Sequence, residues 1–169
     1  MMQKPKTWAL ALILIAAGAV QAEAQSRSGL VSVADGSRFQ MQGSNLWVRL
    51  YGIETCDLEQ RAFFNGVGWP CGIVAAGWLT QITLGYEIKC IEEGSAEYAT
   101  FYGRCFLPSG EDIAKLALKQ GMAIAKRENG EPIEESYGLI EAEAREKKAG
   151  LWSSNFQNGG VFYRAQTAD

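Results

Sequence analysis

The chain has 169 residues and carries 16 lysines and arginines against 19 aspartates and glutamates, a formal charge of −3. That length suits one domain, and the acidic balance is a poor match for non-specific nucleic-acid binding, which uses a basic surface. The chain has no histidine, which excludes Ser-His-Asp and Cys-His nucleophile pairs, histidine-bound zinc and imidazole acid–base catalysis.

At the N-terminus, Lys4 and Lys6 precede an apolar run from Trp8 to Val20 that is short for a bilayer span. Ala22-Glu23-Ala24 supplies the small-x-small pattern of a signal-peptidase site. Residues 1–24 are therefore expected to be a signal peptide, 25–152 the folded domain and 153–169 a loosely held tail. Cleavage removes two lysines and one glutamate, taking the formal charge from −3 to −4. The product is expected to be exported, periplasmic or secreted.

Leu30 to Met41 reads as a strand bent at Asp35-Gly36-Ser37, followed by a turn at Gly43-Ser44-Asn45 and a second strand from Leu46 to Ile53. Glu54 to Gly68 reads as a loop. Trp69-Pro70 opens a helix to about Leu84, with Ile73, Gly77 (or Ala76), Trp78 and Ile82 as its inward stripe. Tyr86–Glu92 and Tyr98–Leu107 read as two strands that put Cys90 opposite Cys105. A helix from Glu111-Asp112 ends at Gly121, with Ile113, Leu116 and Ala117 as its apolar face, and Met122–Ala125 is a short strand. Glu131-Pro132 starts a last helix to Lys148, with Glu131, Glu134 and Glu135 at its positive end and Lys147 and Lys148 at the other. Gly150 stops it, and Leu151-Trp152 plugs back onto the body. The order predicts an α+β fold: a small five-stranded OB-fold-type β-barrel with three helices.

Four cysteines allow three pairings. The spacing from Cys56 to Cys71 equals that from Cys90 to Cys105, and the two sequential bridges are preferred. Each would contribute about 3 kcal/mol in the chain-entropy model. The rival reading, a zinc site of all four cysteines, lacks paired C-x2-C spacing.

The chemistry concentrates in Val48-Arg49-Leu50-Tyr51-Gly52-Ile53-Glu54-Thr55-Cys56-Asp57. A cation and two carboxylates this close can neutralise a phosphate, hold a metal or activate water. This run resembles the staphylococcal-nuclease-like (thermonuclease) family. So do Val33-Ala34-Asp35-Gly36, Trp69-Pro70-Cys71-Gly72, Ile113 to Gly121 and Glu141 to Trp152. The Trp-Pro-Cys-Gly piece and the cysteines are most similar to an exported proteobacterial branch. The resemblance spans Leu30 to Trp152 and implies an OB-fold barrel with three helices and calcium-dependent phosphodiester hydrolysis of DNA or RNA.

The resemblance also implies roles for single residues. Arg49 matches the first phosphate-clamping arginine. Glu54 stands at a metal-binding aspartate, Thr55 at the residue whose carbonyl meets Ca2+, and Asp57 at the general-base glutamate. Ser37 stands at the other metal-binding aspartate, so the calcium site is expected to be weakened. Two alignments compete for the second arginine: Tyr102-Gly103-Arg104 spells the motif, whereas alignment on Cys105 puts Thr100 there. Lys126-Arg127-Glu128-Asn129 stands where the family has nucleotide-stacking aromatics.

The expectation is an exported domain with a partly degraded calcium-dependent phosphodiesterase site and weak or no catalysis. It would act as an accessory or binding module. Its partner would be unknown or, as some exported relatives suggest, exopolysaccharide (succinoglycan) machinery. The alternative is an active calcium-dependent endonuclease acting on nucleic acid. The structural alternative for Arg49 is an ion pair with Glu54 or Asp57. For Trp47, Trp69, Trp78 and Trp152 the expectation is core or partly buried packing.

Overall fold

The computed structural model describes residues 25–96, 98–158 and 160–165. The expected signal peptide lies outside them. The strands are β1 (Ser26–Gly29), β2 (Val31–Val33), β3 (Arg38–Met41), β4 (Trp47–Leu50), β5 (Ile53–Glu54), β6 (Ala62–Phe64) and β7 (Val67–Trp69). After helix α1 (Cys71–Thr83) come β8 (Ile88–Ser95) and β9 (Thr100–Phe106), then helix α2 (Ile113–Lys119). Next come β10 (Ile124–Ala125), β11 (Arg127–Glu128), β12 (Glu131–Pro132) and helix α3 (Glu135–Glu146). A 3-10 turn (Gly150–Ser153) leads to β13 (Phe156–Asn158) and β14 (Val161–Tyr163).

The fold is α+β with three helices, as expected, but its main sheet has six strands, in the order β1-β8-β9-β4-β3-β2. Its two edge strands, β1 and β2, are separated in the chain by Leu30 alone. The sheet must therefore curl strongly to bring these edges near each other at that link, and with no β1–β2 pairing among the described residues it is a half-barrel. The single bent strand expected over Leu30–Met41 is a hairpin instead. Val31 pairs with Met41 and Val33 with Phe39 around the Asp35–Ser37 turn.

Alternation drives this sheet. In β9 the odd-numbered residues Phe101, Gly103 and Cys105 are buried, and the even-numbered Thr100, Tyr102, Arg104 and Phe106 are half-buried. The inward residues join Phe39, Val48, Leu50 and Ile88 in the main core. Cys90 lies opposite Cys105 in the β8–β9 ladder, and the two are bridged with a Cα separation of 4.1 Å.

Helix α1 turns a different face inward from the one its apolar residues suggest. Cys71, Gly72, Ala75, Leu79 and Thr83 are buried, Trp78 and Ile82 pack partly against the core, and Ile73 is 60% exposed. The Cys56–Cys71 bridge explains this. With Cys71 fixed inward, Ile73 lies about 200° further around the helix and must face out. Helix α2 has a side-chain cap: Asp112 Oδ1 accepts from the amides of Ala114 (2.9 Å) and Lys115 (3.3 Å). Helix α3 begins at Glu135 rather than at Glu131-Pro132, which pair with β11 instead.

A second, smaller core holds the Cys56–Cys71 bridge with Ala62, Ile124, Ala144, Leu151, Trp152 and Phe156. Phe156 belongs to the segment expected to be a loose tail. Strands β13 and β14 in this segment pair as an antiparallel ribbon instead, with Phe156 stacked on Tyr163 at 4.8 Å and both edge-on to Trp152. The expected 54–68 loop likewise contains a hairpin, β6–β7, turning at Asn65-Gly66. Both turn residues have positive φ, 50° and 80°, the requirement that favours Asn-Gly in tight hairpins.

Candidate functional site

Arg49 lies mid-way along β4, opposite Arg38 on β3 and Tyr102 on β9. It is exposed and makes no ion pair among the described residues. The pairing with Glu54 or Asp57 expected for a purely structural arginine is therefore absent there. Two clefts meet at Arg49. One, of about 420 Å³, is lined by Asp35, Ser37, Arg49, Glu54, Thr55 and Asp57, with Asn158 from the C-terminal hairpin. The other, of about 480 Å³, is lined by Arg49, Tyr51, Glu54, Tyr102, Lys126 and Glu131 among others. The structure thus gathers Ser37, Arg49, Glu54, Thr55 and Asp57 around one cleft.

Close packing holds them there. A Cβ on Gly36 would lie 2.7 Å from Ala75 Cβ and 3.0 Å from Thr55 Oγ1. The Asp35–Ser37 turn is thereby wedged between α1 and the 54–57 loop. A Cβ on Gly72 would lie 1.8 Å from the Asp57 carbonyl oxygen, so the first turn of α1 abuts the backbone of Asp57 directly. The Cys56–Cys71 bridge locks the same junction, with a Cα separation of 5.8 Å. On the other side, Glu54 pairs with Ile124 in the β5–β10 ladder. Buried Glu141 of α3 accepts from the Ala125 amide and pairs with Arg127, tying β10 to α3.

Two of the three carboxylates already have partners, and that of Asp57 makes no hydrogen bond or ion pair among the described residues. Asp35 Oδ1 accepts from both the amide (2.8 Å) and the hydroxyl (3.0 Å) of Ser37. Asp35 Oδ2 faces Arg38 Nε at 3.2 Å, and the Arg38 guanidinium lies over the Trp47 ring. Glu54 Oε2 accepts from Asn158 Nδ2 at 2.7 Å. Asp57 is exposed, and its amide donates to Gln60 Oε1. Among the described residues no three His, Cys, Asp or Glu side chains converge as a metal site.

Neither candidate for the second arginine lines the clefts at Arg49. Thr100 pairs with Trp47 in the ladder, and its hydroxyl donates to the Tyr98 carbonyl. Arg104 donates to Glu93 (2.8 Å), Glu134 (3.0 Å) and the Tyr137 hydroxyl (3.3 Å). The Tyr137 hydroxyl in turn donates to Asp112 Oδ2 at 2.9 Å. Burial disfavours the charge on Arg104, but the hydrogen bonds to Glu93 and Glu134 outweigh it and hold the guanidinium more firmly protonated than usual. The Arg104 hydrogen bond, with a smaller contribution from Ser136, keeps the Glu134 carboxyl below the ordinary glutamate range. Burial first, and the Asp112 charge second, push Tyr137 well above the usual phenol value. The cluster joins β9, α2 and α3.

A family model described as staphylococcal nuclease homologue matches residues 47–154. The chain belongs to that family. The matched span runs from β4 to the 3-10 turn and contains Arg49, Glu54, Thr55 and Asp57. The chain is also 28% identical over 120 residues to a protein of Komagataella phaffii (strain GS115 / ATCC 20864) named "Probable endonuclease LCL3". The alignment covers 67% of this chain and 51% of that protein, so the chain spans about half the length of this relative. The family is typically calcium-dependent and acts on nucleic acid. Two disulfides point to an oxidising, extracytoplasmic environment. No helix among the described residues is long and apolar enough to cross a membrane.

Sequence reasoning missed Tyr102 and Asn158 as neighbours of the site, whereas Lys126, which it set where the family has stacking aromatics, does line a cleft at Arg49. Tyr102 comes beside Arg49 only through a parallel pairing of distant strands, which nothing local signals. Lys126 has its ammonium over the Tyr102 ring at 5.2 Å. Asn158 did have a signal: Asn158 followed by glycines, between apolar residues, is a hairpin pattern.

Proposed function

We propose that this nuclease-family domain is an exported, periplasmic or secreted module that binds nucleic acid at Arg49 and hydrolyses it weakly or not at all. The observation that carries the reading is the turn at Asp35–Ser37. Where a calcium site would draw on a carboxylate, Ser37 is a hydroxyl, and Asp35 has Oδ1 bonded to Ser37 and Oδ2 in ion-pair range of Arg38, without a hydrogen bond from its Nε. Calcium asks for six to eight oxygens, usually with several carboxylates. The donors here are Glu54, already bonded to Asn158, the Thr55 carbonyl, the Ser37 hydroxyl and the exposed Asp57 carboxylate, and no three acidic side chains converge among the described residues. They do not fit a hard divalent cation. Arg104 is engaged by Glu93 and Glu134, which leaves Arg49 to meet a phosphate without that partner.

What remains favours binding over turnover. Arg49 and Lys126 offer cations to phosphate oxygens, while charge developing during hydrolysis would be poorly met. The opposite reading, an active endonuclease, draws support from one observation: Arg49, Glu54, Thr55 and Asp57 share a cleft. Digestion of single-stranded DNA and of RNA, with added calcium and with chelator, separates the two. The proposal expects saturable binding that falls in Arg49→Ala, and no chelator-sensitive cleavage above background. Robust cleavage abolished by chelator and by Arg49→Ala would overturn it.

A further inference from the structure

Beside the site at Arg49, residues from within and beyond the family-matched span together form a further surface. A third cleft, of about 400 Å³, lies between the β6–β7 and β13–β14 hairpins and is lined by Asp57, Arg61, Phe63, Gln157, Asn158 and Phe162 among others. Phe63 is 48% exposed and Phe162 59% exposed. Register explains why both face one way. Phe63 bridges Asn155, and Phe162 pairs with Gln157 two residues further along the same chain segment. Side chains two apart share a face, while Phe156 and Tyr163 point to the second core.

The two phenylalanines therefore stand on one wall with β13 running between them. The hairpins are held in place. Gln60 accepts from the Asp57 amide and donates to the Gln157 carbonyl, and Arg61 donates to the Gly68 carbonyl. Phe63 and Asn155 also exchange both backbone hydrogen bonds. The cleft is continuous with the site, because Asp57 and Asn158 line both. The family match ends at residue 154, so β13 and β14 lie outside the matched span while Arg61 and Phe63 lie within it.

We infer that Phe63 and Phe162 form a base-stacking shelf for unpaired nucleotides, leading a single strand into the cleft of Asp57 and Arg49. The chemistry selects this occupant. Exposed aromatic faces stack on any nucleobase without reading sequence, and Arg61 in the same wall supplies charge for the backbone. A paired duplex buries its base faces in its own stack and could not use the shelf. An acidic chain, for which non-specific phosphate contact is weak, depends on such stacking all the more. The inference rests on the proposed nucleic-acid reading and extends it to strandedness.

The test is fluorescence anisotropy with the purified, disulfide-intact protein. It uses three labelled probes: an oligothymidylate of about 10 nucleotides, within the site size of such grooves, an abasic strand of equal length, and a duplex. The shelf predicts that the thymidylate binds about tenfold or more tighter than the abasic strand or the duplex. Phe63→Ala/Phe162→Ala would erase that preference, whereas Phe63→Tyr/Phe162→Tyr would retain it. Thymidylate and abasic strands binding alike to the unaltered protein would overturn the shelf, as would an alanine variant that keeps the preference. Either result leaves nucleic-acid binding at Arg49 standing. Binding of no probe would overturn both readings.

Discussion

Arg104→Met tests whether the second arginine of the Tyr-Gly-Arg sequence is a phosphate clamp or a structural tie. The substitution keeps an apolar stem but removes hydrogen bonds to Glu93 (2.8 Å) and Glu134 (3.0 Å) and a longer one to the Tyr137 hydroxyl. It also takes a cation from 3.9 Å of the buried Asp112 carboxylate. Charge-assisted bonds contribute about 1.5–3 kcal/mol each when well buried. Here the side chains are 22% to 31% exposed, so solvent screening reduces each to about 1 kcal/mol. With the loss at Asp112, the structure implies destabilisation of about 2–3 kcal/mol. For a domain of this size that is a fall in Tm of roughly 6–12 °C.

Thermal unfolding at neutral pH, with the disulfides intact, measures this directly. The pH dependence carries its own sign. Because Arg104 lowers the folded-state pKa of Glu134, its stabilisation is full above the ordinary glutamate value of about 4.3 and is lost as pH falls through the lowered value. The gap between the parent and Arg104→Met should therefore be widest near neutrality and narrow in acid. Oligonucleotide affinity should stay within twofold or so, because Arg104 lines neither cleft at Arg49. A variant that melts with the parent yet loses tenfold in affinity would refute the reasoning and return Arg104 to the site.

Two other substitutions follow from close contacts. Gly72→Ala would force a methyl into the Asp57 carbonyl oxygen, at 1.8 Å before relaxation. It should cost about 3 kcal/mol through displacement of α1, read as a lower denaturant midpoint with unchanged slope. Glu141→Ala should also cost about 3 kcal/mol, because it leaves Arg127 and the Ala125 amide without their carboxylate. Hydrogen exchange should then speed up first at the β5–β10 pair.

Much of the fold was legible because local signals and tertiary demands agreed. The strand alternation around Cys90 and Cys105, their equal spacing with the other pair, and Asp112 at the head of α2 each pointed where the structure goes. Failures came where a distant constraint overrode local pattern. Ile73 heads an apolar stripe in α1 whose Trp78 and Ile82 do pack against the core, but with Cys71 bridged inward Ile73 itself faces out. Asp35-Gly36-Ser37 read as a bend within one strand, although Asp-Gly between apolar residues is a local hairpin signal, and the strand doubles back there to pair with itself. The tail after Ser153 looked polar, yet Phe156 and Tyr163 dock it against Trp152. Asn65-Gly66 and the glycines after Asn158 were readable turn signals that a coarser view of composition passed over.

The candidate site was legible in its membership and opaque in its partners, and Ser37 shows why this matters. A hydroxyl donates where a carboxylate would repel, so Ser37 holds Asp35 Oδ1 and leaves Oδ2 to Arg38. One replaced group thereby occupies a second. Ser37→Asp should reverse this, because two adjacent carboxylates cannot share that turn without a cation between them. The new aspartate would stand at a 7% exposed position and destabilise the protein without calcium. With calcium at about ten times the dissociation constant, binding would return about 1.4 kcal/mol, a Tm rise of roughly 3–6 °C. The parent should show no such rise, and magnesium should substitute poorly because it demands tighter octahedral geometry. Equal calcium response in the parent and Ser37→Asp would mean that a carboxylate at position 37 is not what the site lacks. The reason for the proposed weak turnover would then have to be sought at Arg104 or Asp57.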